Sequence, residues 1–188
     1  MSDGALARLV GHRRGMLGAA AVGLMLTAGM LAPVLAPYSY SSQSLTQRLK
    51  PPGREHWLGT DGFGRDVLSR VMWGSRVSLQ IGFAATALSL LAGTLLGGAA
   101  GYFGRGADQA IMRTADAFLS VPALFLVLVV VALFGASLLN TALVIALVTW
   151  APAARVVRAE CLALRSRDFV HAAHALGAGH ARILGRHL

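Results

Sequence analysis

The sequence predicts an all-α integral membrane protein, and two observations carry this prediction. First, 55% of the 188 residues are hydrophobic and only 13% are charged, whereas soluble domains carry about 25% charged residues. Second, three long stretches contain no Asp, Glu, Lys or Arg: residues 15–47, 77–104 and 117–154. A domain of this size cannot bury such an apolar excess in its own core. The composition therefore excludes a soluble enzyme, a disordered chain and a disulfide-stapled secreted domain.

The uncharged stretches predict four transmembrane helices that form a polytopic helical bundle. A spanning helix needs about 20 apolar residues. The first stretch supplies one span at 15–36, and the second supplies one at 77–103. The third stretch is long enough for two short spans, 117–134 and 136–152, with Gly135 at the break.

The first span has an alternative explanation, because Arg8, Arg13 and Arg14 precede it as basic residues precede a signal peptide. Its apolar core is longer than the roughly 7–15 residues of a signal sequence, and no clean Ala-x-Ala cleavage site follows it. The sequence therefore favours a retained helix over a cleaved signal peptide.

The distribution of basic residues predicts the orientation. An Arg cluster precedes the first span, and the carboxyl segment 155–188 is also basic, so both are expected on the cytoplasmic side. Residues 1–14 would then form a cytoplasmic amino terminus, and 37–76 would lie outside. The 17 basic residues are dispersed between apolar runs and form no continuous basic face with interleaved aromatic residues. This pattern disfavours nucleic-acid binding.

The segment 37–76 is expected to be a periplasmic linker followed by an interfacial helix. A Pro-Pro-Gly run at 51–53 breaks regular structure in the linker. From 65 to 76, apolar residues recur with helical periodicity and leave one basic face. This is typical of a helix that lies at the membrane surface before the next span, although an ordinary solvated helix has the same pattern.

Three glycines in the second span point to helix packing. Gly93, Gly97 and Gly101 recur at every fourth position and therefore share one helical face. Small residues at this spacing let two helix backbones approach closely in a membrane. The alternative is a helix that is merely rich in glycine.

Four histidines near the carboxyl terminus, His171, His174, His180 and His187, suggest a metal site. No acidic residue or cysteine accompanies them at a familiar ligand spacing, so surface histidines are the favoured interpretation. No phosphate-binding loop or catalytic constellation is found in the sequence either. We therefore predict no metal, no cofactor and no enzymatic activity in this chain.

The carboxyl segment contains the most informative pattern. Residues 169–177 form a short amphipathic pattern that is closed by Gly177, a favoured residue after a helix end. A compact helix of this kind is suited to a groove on a soluble partner. An interfacial helix on anionic lipid is the alternative.

Three stretches of the chain resemble the inner-membrane permease subunits of ATP-binding-cassette importers, in the dipeptide/oligopeptide/nickel class and its second permease type. The first stretch covers 56–79 and opens with His-Trp-Leu-Gly-Thr-Asp. The second is Gly-Tyr-Phe-Gly at 101–104, followed by Asp116 and Pro122. The third, 169–177, is similar to the family's cytoplasmic Glu-Ala-Ala…Gly motif.

The resemblance implies a type I importer permease in the bacterial inner (plasma) membrane. Such a subunit forms part of a translocation path for di- or oligopeptides or a related small solute such as nickel. Its implied partners are a second permease, two cytoplasmic ATP-binding subunits that hydrolyse ATP, and a periplasmic or lipid-anchored substrate-binding protein. Residues 77–188 would be a partial permease domain, apparently truncated, because the family motif continues past position 188 into two further spans.

The resemblance also implies a coupling helix near 168–179 that enters a cleft of an ATPase. Its expected contact residues are Phe169, His171, Ala172, Ala173 and Gly177. His171 stands where the family has Glu, so any ion pair made by that carboxylate is absent.

Two alternative functions are open from the sequence. One is a membrane accessory or structural subunit without transport activity. The other is a metal-dependent membrane enzyme that uses the histidines together with Asp168.

Overall fold

The computed structural model describes residues 12–186, so Arg8 and His187 lie outside the described residues. Within this range the regular structure is helical, apart from one isolated β-bridge between Thr60 and Asp66. The helices are α1 (Arg13–Leu35), α2 (Val67–Phe103), α3 (Arg105–Ser120), α4 (Ala123–Phe134), α5 (Leu138–Arg165), α6 (Asp168–Ala175) and α7 (His180–Arg186), with a single 3-10 turn at Leu45–Gln47. The predicted all-α class is confirmed.

The expectation of several membrane spans is also confirmed. Helices α1, α2 and α5 are each long and apolar enough to cross a membrane, and α3 with α4 forms a bent pair that could supply a fourth crossing. The chain divides into two compact units, one up to Gln80 and one from Ile81 onward.

Helix α2 differs from the expected boundary at position 77. The expected interfacial helix at 65–76 and the expected second span form one continuous helix of 37 residues. Its sequence contains no proline, so the backbone hydrogen-bond ladder has no obligatory break. At 1.5 Å per residue the helix is about 55 Å long, well beyond the roughly 30 Å hydrocarbon thickness of a bilayer.

The third expected span is not one straight helix. Helices α3 and α4 meet at an angle of 85°, and the break lies immediately before Pro122. A residue that precedes proline is driven out of the α conformation. Val121 accordingly has an extended backbone, with φ −95° and ψ 126°. Pro122 therefore converts the expected span at 117–134 into a bent pair.

The fourth expected span ends later than position 152. Helix α5 includes Pro152 and continues to Arg165. Proline inside a helix removes one backbone hydrogen bond but is tolerated in membrane helices when packing supports the surrounding turns. Trp150, Ala151 and Ala154 surround Pro152 in sequence and are all buried, which accounts for the continuation.

In the first unit, a buried His–Asp pair organises the segment that leads into α2. His56 and Asp66 are 5% and 4% exposed, and His56 Nδ1 lies 2.9 Å from Asp66 Oδ1. The other ring nitrogen, Nε2, lies 2.9 Å from Gln47 Oε1. The second carboxylate oxygen of Asp66, Oδ2, accepts a hydrogen bond from the Ser69 backbone amide, with an N···O distance of 2.7 Å. Asp66 therefore caps α2 and ties the helix to the preceding segment.

A second carboxylate, Asp61, holds the turn before α2. It accepts hydrogen bonds from the Phe63 and Arg65 amides, at 2.8 and 3.0 Å, and from the Arg65 and Arg70 side chains. Desolvation raises the pKa of Asp61, but these hydrogen bonds outweigh it and hold the pKa well below its ordinary value. Desolvation likewise raises the pKa of Asp66, and hydrogen bonds from Ser69 and His56 lower it overall.

In the second unit, the glycine face of α2 lies against α5. A Cβ atom added at Gly93 would meet Ala153 Cβ at 2.6 Å, and one added at Gly101 would meet the Arg158 carbonyl oxygen at 2.8 Å. A Cβ at Gly97 would collide with the Ala154 carbonyl. The predicted packing role of the three glycines is confirmed.

Two ion pairs join α3 to α5 beside a buried cluster. Asp108 accepts two hydrogen bonds from the Arg158 guanidinium, and Asp116 pairs with Arg155. The cluster contains Trp150 and Ala154 of α5, with Ala115 of α3. These contacts hold the bent α3 along one side of α5.

Acid should weaken the capped start of α2 through Asp66. Its pKa is lower in the folded protein than in the unfolded chain, so ionised Asp66 stabilises the fold above about pH 4, and this stabilisation is lost as the pH falls further. Asp66→Asn keeps a capping side chain and removes the charge. The melting temperature of wild type should exceed that of the variant at pH 7, and the difference should shrink toward pH 3. Glu55→Gln, at an exposed carboxylate, is the control. A wild-type advantage that does not change with pH contradicts this assignment.

Glycine-to-alanine changes on α2 should have opposite effects at two positions. Gly97→Ala should destabilise the protein by about 1–3 kcal/mol, because the new methyl group forces α2 away from α5. Gly82→Ala should be neutral or stabilising by up to about 1 kcal/mol, since a Cβ there meets nothing within 4 Å in the described part of the chain. Thermal unfolding in a single detergent measures both. Equal melting temperatures for the two variants would refute the close approach.

Candidate functional site

The candidate site lies on the short helix α6, which follows α5 after a two-residue turn. The helix is only eight residues long, so its own hydrogen bonds give it little stability and packing must hold it in place. Val170 provides that packing, since it is only 1% exposed. Ala173, one turn later, is half-buried and lies toward the same side.

The opposite side of α6 carries an exposed apolar stripe, formed by Phe169, Ala172 and Leu176. These residues follow one another at helical spacings of three and four. Phe169 is 49% exposed and Leu176 is 88% exposed. Two large apolar side chains are thus exposed on this side of α6.

Gly177 ends α6 in a Schellman arrangement. Its φ is +79°, in the left-handed region that favours glycine. The Gly177 amide donates to the His174 carbonyl at 2.9 Å, and the Ala178 amide donates to the Ala173 carbonyl at 3.0 Å. The prediction that Gly177 closes the helix is confirmed. The expected helix over 168–179 is therefore α6 followed by a glycine turn, and α7 begins directly after it at His180.

A buried cluster with one residue from each of four helices anchors α6. We call it the four-helix cluster: Tyr102 of α2, Cys161 of α5, Val170 of α6 and Ile183 of α7. All four side chains are at most 5% exposed. The position of α6 is thus fixed by apolar contacts that converge on one point.

The histidines take different positions around this cluster. The Tyr102 hydroxyl lies 2.6 Å from His180 Nδ1 and 3.3 Å from His174 Nε2. His171, His174 and His180 are all exposed as residues, and the Tyr102 hydroxyl contacts a ring nitrogen of the latter two. Among residues 12–186, no three His, Cys, Asp or Glu side chains are placed to hold a metal ion together. His174 and His180 thus lie at the exposed edge of the cluster and form hydrogen bonds with Tyr102.

The structure places the five expected contact residues in three kinds of position. Phe169, His171 and Ala172 are exposed, Ala173 is half-buried, and Gly177 lies in the closing turn. A Cβ at Gly177 would meet no heavy atom within 4 Å in the described chain, so its conformation rather than its small size explains the glycine. Leu176, which is also exposed, was not among the expected contact residues. Its spacing of seven from Phe169 was the available signal.

These features define a class: a polytopic α-helical membrane protein whose last long helix leads into a short helix with an exposed apolar stripe. Residues 89–188 match a family described as binding-protein-dependent transport system inner membrane component. Residues 2–52 match the N-terminal transmembrane domain of oligopeptide transport permease C. The chain belongs to the family of binding-protein-dependent transport system inner membrane components.

Three relatives illustrate the range of this family. The dipeptide transport system permease protein DppC of Alkalihalophilus pseudofirmus is 40% identical over 90% of this chain and 57% of its own length. The oligopeptide transport system permease protein OppC of Bacillus subtilis is 34% identical over 98% of this chain and 60% of its own. The nickel transport system permease protein NikC of Escherichia coli is 44% identical over 81% of this chain and 55% of its own length. The chain thus spans less than two thirds of each relative.

Substitution of Gly177 should loosen the end of α6. An alanine forced into the left-handed region costs about 1–2 kcal/mol, so Gly177→Ala should lower hydrogen-exchange protection of the Ala178 amide about tenfold. Gly179→Ala is the matched control, since Gly179 has no positive φ and its Cβ would meet nothing within 4 Å in the described chain. Equal protection in both variants would show that the Gly177 turn is not under conformational constraint.

Proposed function

We propose that this chain is a permease subunit of an ATP-binding-cassette importer, with its amino terminus and α6 on the cytoplasmic side. Family membership supports a role in transport across the bacterial inner membrane. The basic residues at the start of α1, and those in the last turns of α5 and beyond it, support the orientation. ATP hydrolysis is assigned to separate cytoplasmic subunits.

The exposed stripe of α6 is the observation that carries the coupling part of this proposal. Phe169, Ala172 and Leu176 offer one apolar face to a groove, while Val170 holds the opposite face on the protein. Helix-in-groove recognition uses such a face, with large side chains as anchors and small ones between them. A helix that rests on anionic lipid needs a cationic face. The sequence of α6 contains no Lys or Arg, which favours a protein groove.

The proposed assembly has five further components or surfaces: a second permease subunit, two cytoplasmic ATP-binding subunits, a periplasmic or lipid-anchored substrate-binding protein, and the bilayer itself. The two permeases form the translocation path. Closure of the ATPase pair on ATP displaces α6 and shifts the bundle between inward-facing and outward-facing states. Each state is favoured by the contacts that α6 makes in it.

The proposed cargo is a di- or oligopeptide or a related small solute such as nickel. The names of three relatives, which refer to dipeptide, oligopeptide and nickel transport, support this range. The long helices α1 and α2 contain no acidic residue, so they offer no carboxylate to a cationic cargo. Discrimination among cargoes is assigned to the substrate-binding protein.

A charge on the stripe should disrupt docking of the ATPase. Ala172→Glu places a carboxylate in the centre of the stripe, and we expect at least about a tenfold loss of affinity, as for a central interface residue. Ala181→Glu makes the same change at an exposed position of α7 and should have little effect. The measurement is the amount of ATP-binding subunit that co-purifies with each permease variant in mild detergent.

The contradicting outcome is equal recovery of the ATP-binding subunit with both variants. Transport that survives deletion of residues 168–179 would favour the alternative role of an accessory subunit. Either result would show that α6 does not couple this chain to the ATP-binding subunit.

A further inference from the structure

We propose that Tyr102 is the positioning residue that fixes α6 and α7 to α2, so that a displacement of α6 is passed to a membrane-spanning helix. The coupling role of α6 on which this rests is the function proposed above. The observations that carry it are the burial of Tyr102, the two partners of its hydroxyl and the packing of α2 directly beside it.

The phenol ring occupies the point where four helices converge. Tyr102 is the penultimate residue of α2 and is only 5% exposed. Its neighbours in the four-helix cluster include Val170 of α6 and Ile183 of α7, which are 1% and 0% exposed. The ring therefore contacts both carboxyl-terminal helices through apolar packing.

The hydroxyl adds a directional link to the same two helices. It lies 2.6 Å from His180 Nδ1, at the start of α7, and 3.3 Å from His174 Nε2, in the last turns of α6. A phenol has one donor hydrogen and can also accept, and a neutral imidazole has one nitrogen of each kind. With neutral rings, the hydroxyl donates to one histidine and accepts from the other. One oxygen atom thus joins three helices.

Helix α2 is held firmly at this end. A Cβ at Gly101, the residue before Tyr102, would meet the Arg158 carbonyl oxygen at 2.8 Å and Cys161 Cβ at 2.7 Å. The backbones of α2 and α5 therefore lie in close contact at Gly101, where no side chain of α2 separates them. A force on the Tyr102 ring acts on a helix that cannot yield locally, because packed interiors transmit displacement rather than absorb it.

The chain connection alone would pass the movement of α6 to its sequence neighbours α5 and α7, and not directly to α2. Helix α6 follows α5 through Ser166 and Arg167, whereas α2 lies far away in sequence. Tyr102 supplies a buried contact between α2 and the carboxyl-terminal helices, beside the approach of Gly98 to Leu184 and of Phe103 to His180. The hydrogen bonds of its hydroxyl fix the relative positions of these helices, because hydrogen bonds are directional and apolar packing is not.

The test separates docking of the ATPase from transmission of its movement. Tyr102→Phe retains the ring and its packing and removes only the hydroxyl. In the assembled transporter, reconstituted in vesicles, we expect wild-type recovery of the ATP-binding subunits but about tenfold less transport per ATP hydrolysed, as for loss of a coupling interaction. Tyr38→Phe is the matched control, since the Tyr38 hydroxyl also makes a hydrogen bond, to the Glu55 carbonyl at 3.0 Å, in the other unit.

The histidine partner gives a second, independent measurement. His180→Ala should reduce transport per ATP as Tyr102→Phe does, and the double variant should be no worse than either single variant, because both remove the same hydrogen bond. His180→Asn keeps a side-chain acceptor near the Nδ1 position and should restore part of the transport. Additive losses would overturn the link between the two residues.

The outcomes distinguish this inference from the function on which it rests. Wild-type transport per ATP in Tyr102→Phe would overturn the positioning role and leave the proposed function intact. Loss of ATP-binding subunits from Tyr102→Phe would also overturn it, since the hydroxyl would then serve docking. Failure of the wild-type protein itself to recover ATP-binding subunits would overturn the proposed function, and the positioning role with it.

Discussion

The close approach of α2 to α5 is the constraint on which the second unit depends. Gly93, Gly97 and Gly101 leave room for the backbone of α5 at three successive turns, where a single methyl group would collide with it. Apolar side chains gain little by leaving lipid, so association in a membrane relies on such close packing and on polar contacts. Asp108 and Arg158 add a polar contact to the same helix. Helix α5 is therefore held on two sides before the carboxyl-terminal helices begin.

The carboxyl-terminal helices use this fixed frame. Helix α6 is too short to be stable alone, and Val170 and Tyr102 connect it to the ends of two long helices. Its position is then determined by packing, while Phe169 and Leu176 stay exposed. A small helix that is well anchored on one face and apolar on the other can move only together with the bundle. This arrangement suits the proposed exchange of movement with a cytoplasmic ATPase, in which a partner stabilises one of two bundle states.

Much of the fold follows from local properties of the sequence. The features that the sequence does not predict depend on contacts between residues that are distant in the chain. Uncharged stretches predict spans because a charge in the bilayer is costly, and Gly177 predicts the end of α6 because few other residues adopt a positive φ. Two prolines show the limit: Pro122 ends a helix and Pro152 does not. Buried residues flank Pro152, and Pro33 also lies inside a helix, α1, so the presence of a proline alone does not predict a helix end. The contact of Tyr102 with His180 joins positions 78 apart, so spacing could not predict it.

The most direct test of this account is photo-cross-linking from α6 in native membranes, followed by mass spectrometry of the partner. A photoreactive amino acid at Leu176 would report on whatever covers the exposed stripe, and the same probe at Ala181 would serve as a reference. We expect a cross-link from position 176 to a nucleotide-binding subunit, stronger than the one from position 181. Cross-links from position 176 to lipid alone would contradict it, and the exposed stripe would then belong to the membrane surface.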